Sequence, residues 1–245
     1  MEKHRIIRKI TVFLLCLVMI SGAWVYFWLF FALPSPEKLD DYLLASRNYP
    51  AIALADMPEA LQWATIVVED KNFYSRDLHI DFPSLLRGIW YRFDCAMSGC
   101  TEKQAVTIPQ QLAANLMLLS NQTKGSSLRQ DLRTLALTLM ITGRYTSDEI
   151  VEFYLNSIPY RSDSNQIYGV EAAAQFYYGK HTSDLDLAEC AMLQAITHLA
   201  YFDPKKHLEI AQQRQSIVLD LMIEEGYIEE RDAANAAQQA LTFIR

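Results

Sequence analysis

The chain has 245 residues, 51% of them hydrophobic and 21% charged, so it can bury one sizeable core or at most two small ones. Its formal net charge is -7, and because Lys3, Arg5, Arg8 and Lys9 against Glu2 give the first nine residues +3, the remainder carries -10. That acidic balance argues against nucleic acid as a partner.

From Ile10 to Leu33 no residue is charged, a run of about 24 positions that is long enough to cross a bilayer and longer than a signal-peptide core. The chain therefore divides into a cytoplasmic tail (1–9), a single transmembrane helix (10–33), a linker begun by Pro34-Ser35-Pro36 (34–49) and one exported domain (50–245). The basic tail places the amino end inside, and Trp24, Tyr26, Trp28, Phe30 and Phe31 crowd the outer half of the span as interfacial aromatics do.

In the domain, Asp56-Met57-Pro58-Glu59 offers a cap, an early proline and a glutamate three residues on, which predicts a helix from about Met57 to Asp70. The helix releases two adjacent carboxylates, Glu69 and Asp70, into the polar loop Lys71–Asp77. At a helix C-terminus the macrodipole disfavours a negative charge, so a carboxylate there suits a general base, and Glu69 is the candidate. Taken alone, the pair reads as solvated helix-end charge; the stretches further along the chain favour the base.

Asp81, Thr107 and Ser147 each precede a stretch with proline or acid in its first turn, and each predicts a helix start. Leu128 to Ile141 is apolar nearly all round, which predicts a central buried helix with one polar stripe, Asp131, Thr134 and Thr138. Further helices are expected over Tyr168–Tyr178, Leu185–Ile196 and His207–Glu225, the last stopped by Gly226, and from about Glu229 onward. Strong period-two alternation is missing, so the domain is expected to be all or mostly α. Trp90 to Lys103 reads as a surface loop or as a flap that dips into the outer leaflet.

Of the four cysteines, Cys16 in the span and Cys190 in an apolar run are expected to be inert. Cys95 and Cys100 are close enough to form a small-loop disulfide outside the cytoplasm or to stay free, and a zinc site would need more ligands than surround them.

Several stretches together resemble glycosyltransferase family 51, the peptidoglycan glycosyltransferases that polymerise lipid II, in the manner of the monofunctional biosynthetic members. Glu69-Asp70-Lys71-Asn72-Phe73 fits the family's first motif, Glu-Asp-x-x-Phe, with Arg76 where its histidine would stand. Val106-Thr107-Ile108-Pro109-Gln110-Gln111-Leu112-Ala113-Ala114-Asn115 is similar to the second motif, Ser-Thr-x-Thr-Gln-Gln-x-x-Lys-Asn, with its lysine replaced by Ala114. The stretches 149–156, 168–180 and 185–193 match the family's scaffold almost unchanged. The third motif, Arg-Lys-x-x-Glu, falls on Gln130-Asp131-Leu132-Arg133-Thr134, so its glutamate is missing and both the second and third motifs are degenerate.

The resemblance implies a lysozyme-like helical domain in the bacterial inner membrane, facing the periplasm. Glu69 would be the base and Asp70 its catalytic neighbour. Phe73, Arg76, Thr107, Gln110, Gln111, Asn115, Arg129, Asp131 and Arg133 would line the site for a lipid-linked glycan precursor, and the family often adds Mg²⁺ or another divalent cation. Arg76, Lys124, Arg129 and Arg133 are candidates to meet phosphate in place of the missing cations. Three functions stay open: a polymerase of lipid II or a related undecaprenyl-linked sugar, a catalytically impaired protein that binds such a precursor or scaffolds other cell-wall synthesis proteins, and a lytic glycoside hydrolase built on a related helical lobe.

Overall fold

The computed structural model describes residues 11–24, 51–76, 107–119, 127–161, 167–197 and 203–244. Residues 11–24 form a helix, α1, whose Phe13, Leu14, Val18 and Ile20 are each more than half exposed. Of the expected span 10–33 only this part is described, and no described helix is long and apolar enough to cross a membrane. The linker, the helix expected after Asp81, the loop 90–103 and the Cys95–Cys100 pair lie outside the described residues.

The domain is mostly helical. Its helices are α2 (Glu59–Glu69), α3 (Ile108–Leu119), α4 (Ser127–Arg144), α5 (Ser147–Ser157), α6 (Val170–Tyr178), α7 (Leu187–Ala195), α8 (Leu208–Glu224) and α9 (Glu230–Gln238). A two-stranded antiparallel ribbon, β1 (Pro159–Arg161) and β2 (Ile167–Tyr168), interrupts them, an element too short for period-two patterning to reveal. One continuous apolar core joins the helices: α7 packs on α8 and α2, and α3 packs on α4 and α5.

Local chemistry explains the boundaries. The expected Asp56 cap is replaced by a 3-10 turn, Leu54–Asp56, which Gln62 closes by donating to the Leu54 and Met57 carbonyls at 3.1 and 3.0 Å, so α2 starts at Glu59 behind Pro58. Thr146, one residue before the expected Ser147, caps α5 and forms a reciprocal capping box with Glu149. Asp186 and Glu189 do the same for α7, and Lys180 anchors Glu189 at 2.7 Å. Gly226, at φ +76°, ends α8 with its own N–H donating to Ile223 and that of Tyr227 to Met222, as the sequence predicts.

The helix expected over Leu128–Ile141 is not buried all round. Ala136, Leu137, Thr138 and Ile141 are buried, whereas Leu139 is 45% exposed, because α3 covers one flank of α4. Thr134, Thr138 and Thr142 satisfy their hydroxyls by donating to carbonyls one turn back, at 3.0, 2.7 and 3.0 Å, and Thr134 also lies 3.4 Å from the Met117 sulfur on α3.

Two anchors fix the frame behind α5. Asn156 holds the Ile52 backbone by both its N–H and its C=O, at 3.0 and 2.9 Å, and a Cβ on Gly169 would lie 2.8 Å from the Asn156 carbonyl oxygen, so only glycine fits there. The buried Glu171 carboxylate accepts from the Thr182 N–H and hydroxyl at 2.8 and 2.7 Å, from Gln175 at 2.6 Å, and pairs with His181 at 2.7 Å.

Burial opposes the charge on Glu171, but these hydrogen bonds outweigh it and hold the carboxyl below the usual carboxylate range. A depressed folded value means stability that is present above the unfolded value, about 4.3, and is lost as pH falls through the folded one. Glu171→Gln is therefore expected to cost roughly 1–2 kcal/mol at pH 7, and the gap to wild type should close as the pH of a thermal-melt series drops below about 4. A gap that stays constant from pH 7 to pH 3 would remove this ionic role.

Candidate active site

Glu69 is the last residue of α2, where the apolar face Leu61, Ala64, Thr65, Ile66 and Val67 stays in the core and the chain turns away at Asp70. A half-buried carboxylate at that point needs donors, and three elements bring them. Gln111 on α3 donates its side-chain N–H to one oxygen at 2.8 Å, and Gln194 on α7 donates to the other at 2.7 Å. The Thr197 hydroxyl lies 3.4 Å from the second oxygen and donates to the Gln194 carbonyl at 2.8 Å.

The amides are themselves held from behind. The buried Tyr154 hydroxyl of α5 donates to the Gln111 oxygen at 3.2 Å, which turns the amide so that its N–H groups face Glu69. The Thr65 hydroxyl reaches both the Leu61 carbonyl, at 2.9 Å, and the Gln194 side-chain oxygen, at 3.1 Å. Burial and then the Glu69 charge push the Tyr154 phenol well above its ordinary value, so it stays a neutral donor.

Asp70 faces a different partner. Arg76 grips its carboxylate with both terminal nitrogens, one at 2.9 Å and one closer, and the Ile108 N–H at the start of α3 points at the same carboxylate from 3.4 Å. The pair thus ties the loop after α2 to the first turn of the helix that carries Gln111.

The other expected site residues divide. Gln110 accepts from the Thr107 N–H at 3.2 Å and so helps cap α3, while the Thr107 hydroxyl is buried without a partner. Asn115 donates to Ser157 at 3.3 Å and braces α3 against α5. Ala114, where the family's lysine would stand, is exposed. Arg133 is half-buried with its Nε–H unpartnered. The side chains of Arg129 and Asp131, and all of Lys124, lie outside the described residues.

One expectation needs correction. Phe73 is fully buried in the core, edge-on to Tyr74, so it serves packing and cannot touch a substrate in this state. Arg76 is engaged by Asp70, which at 7% exposed would otherwise be a buried unpaired charge.

Sequence reasoning missed Thr65, Tyr154, Gln194 and Thr197 as site residues. Gln194 carried a usable signal: a lone amide near the end of the otherwise apolar run Cys190–Ala195, where a buried polar group demands a partner. Cys190 is buried as expected, and burial pushes its thiol up into the unreactive range.

The chain matches the family model described as Transglycosylase over residues 37–223. It is 35% identical to penicillin-binding protein 1A of Aquifex aeolicus over 86% of this chain and 30% of that protein. It is 34% identical to the Haemophilus influenzae protein of the same name, over 91% and 26%. A crystal structure of the Haemophilus influenzae protein aligns with 56% of this chain and 17% of its own, at 27% identity and a TM-score of 0.36. The chain thus spans under a third of the length of these relatives.

Removing Arg76 strands Asp70. Arg76→Ala should cost about 3 kcal/mol in a denaturant titration, since breaking a buried pair exposes the desolvation of the partner left behind. Arg76→Ala together with Asp70→Asn should recover part of that loss, and two additive penalties would show that the pair is not coupled.

Proposed function

The chain belongs to the transglycosylase family, and on that premise we propose that it is a membrane-anchored glycosyltransferase extending glycan strands from lipid II or a related undecaprenyl-linked sugar. The charge-free run 10–33 supports the anchor, with the domain outside the cytoplasm.

The observation that carries this reading is the state of Glu69. Both of its oxygens accept from amide N–H groups, an arrangement suited to an ionised carboxylate that takes a proton from an incoming sugar hydroxyl. A lytic hydrolase would instead use a protonated carboxyl to donate to a leaving group, whereas donors on both oxygens favour the ionised form. The Thr107 hydroxyl and the Arg133 Nε–H, both buried and without acceptors, are the described donors that a glycolipid's sugar and pyrophosphate would complete.

The divalent cation implied by the family resemblance fits the described residues poorly. Glu69 faces N–H donors, Asp70 is spent on Arg76, and no group of three or more acidic, histidine or cysteine side chains gathers among the described residues.

A second reading has its own support. Ala114 presents no charge at the exposed position of the family's lysine, and Thr134 stands for the third-motif glutamate, so a protein that binds the precursor or a cell-wall synthesis partner without polymerising would keep the same hydrogen-bonding wall.

Purified full-length protein in detergent should polymerise labelled lipid II, and Glu69→Gln should lower the rate by about 10²-fold or more. Unchanged turnover in that variant would remove Glu69 from the mechanism. Binding of lipid II with no polymer, with or without Mg²⁺, would favour the second reading.

A further inference from the structure

Gln194 sits where α7 ends, 1% exposed, with its side-chain nitrogen 2.7 Å from Glu69 and its oxygen 3.1 Å from the Thr65 hydroxyl. It is 125 residues away from Glu69 in sequence, in a helix whose other visible work is packing on α8 and α2. An amide buried this deeply in an apolar helix loses its hydration and needs its partners, and here one partner is the carboxylate of the candidate base.

We infer that Gln194 is a positioning residue for Glu69: with Gln111 it forms a two-sided amide clamp that holds the carboxylate in one orientation with both oxygens as acceptors. Each amide has a hydroxyl near its oxygen, although the one beside Gln194 is shared with the Leu61 carbonyl. Tyr154 orients Gln111 by a hydroxyl behind its carbonyl oxygen, and Thr65 offers a hydroxyl behind the carbonyl oxygen of Gln194.

The four supporting side chains come from four helices, α2, α3, α5 and α7, so these contacts tie the orientation of Glu69 to the packed core. All four are neutral. They orient a base without neutralising it, whereas a cation in the same place would hold the proton-accepting charge to itself.

The inference rests on Glu69 being the base of the proposed reaction, so its test needs one arm that reads the carboxylate and another that reads turnover. Gln194→Met keeps the side chain's length and apolar packing and removes the donor. Gln194→Glu sets a second carboxyl against Glu69, and two carboxyls at that distance share a proton.

Full-length protein labelled with ¹³C at the glutamate side-chain carboxyl, with the Glu69 signal assigned from Glu69→Gln, would be titrated by NMR in detergent. Gln194→Glu should raise the Glu69 midpoint by about one pH unit or more, and Gln194→Met should raise it by less. In the polymerisation assay Gln194→Met should lower kcat roughly tenfold or more and leave KM within about twofold, as expected when orientation is lost and substrate binding is kept.

A Glu69 signal that titrates alike in wild type and both variants overturns the clamp, whatever the activity. Lipid II left unpolymerised by the wild type, together with a shifted titration, overturns the proposed reaction and keeps the clamp. A fall in kcat matched by an equal loss of thermal stability, with no titration shift, reduces Gln194 to a packing residue.

Discussion

A carboxylate at the end of an apolar helix cannot be left half-buried without donors, because losing its water would cost more than most single contacts in the fold return. In this chain that constraint recruits α3 and α7 to the end of α2, through Gln111 and Gln194 on the two oxygens of Glu69. Once those helices are fixed, α5 follows, because Tyr154 must reach Gln111 while its ring, fully buried, fills the core beneath. The polar contacts at Glu69 and the apolar packing of α2, α3, α5 and α7 are two sides of the same arrangement.

The neighbouring carboxylate is treated in the opposite way. Asp70 takes a full guanidinium from Arg76 and the first N–H of α3, so its charge seats a helix, whereas Glu69 meets only uncharged groups among the partners described above. Two acidic residues side by side in sequence thereby acquire different partners: a guanidinium on Asp70 and amide donors on Glu69. This separation of tasks by surroundings is what lets adjacent groups of the same chemistry do different work.

Much of this was legible in the sequence where the signal is local. The helix leading to Glu69, the helix over most of Leu185–Ile196 and the stop at Gly226 follow from apolar spacing, Pro58 and a glycine, and the motif drew attention to the end of α2. The failures are tertiary. The apolar run in α4 does not say that only one flank will be covered, whereas the Thr146 cap on α5 is a local feature, the Thr-x-x-Glu spacing to Glu149. Arg76 gives no sign of its grip on Asp70 until Asp70 is seen to be buried beside it, and Gln194 looks like one polar residue in an apolar helix until Glu69 arrives from 125 residues away.

The pairing of Arg76 with Asp70 has a consequence for charge in the site. A glycosyl transfer from a lipid-linked donor sets two electrostatic demands, a base for the acceptor hydroxyl and positive charge for the departing pyrophosphate, and these are met by separate groups. In the proposed reaction the first falls to Glu69, which has core-anchored support. The second is thin among the described residues: Ala114 is exposed and neutral, Arg76 is occupied, and Arg133 is the half-buried guanidinium with a donor to spare. Under the proposed function, thinning the cations while keeping the base would slow the step in which the leaving group departs more than it would weaken the hold on an acceptor sugar. Precursor binding and slow transfer are then two points on one scale, separated by how much positive charge reaches the pyrophosphate.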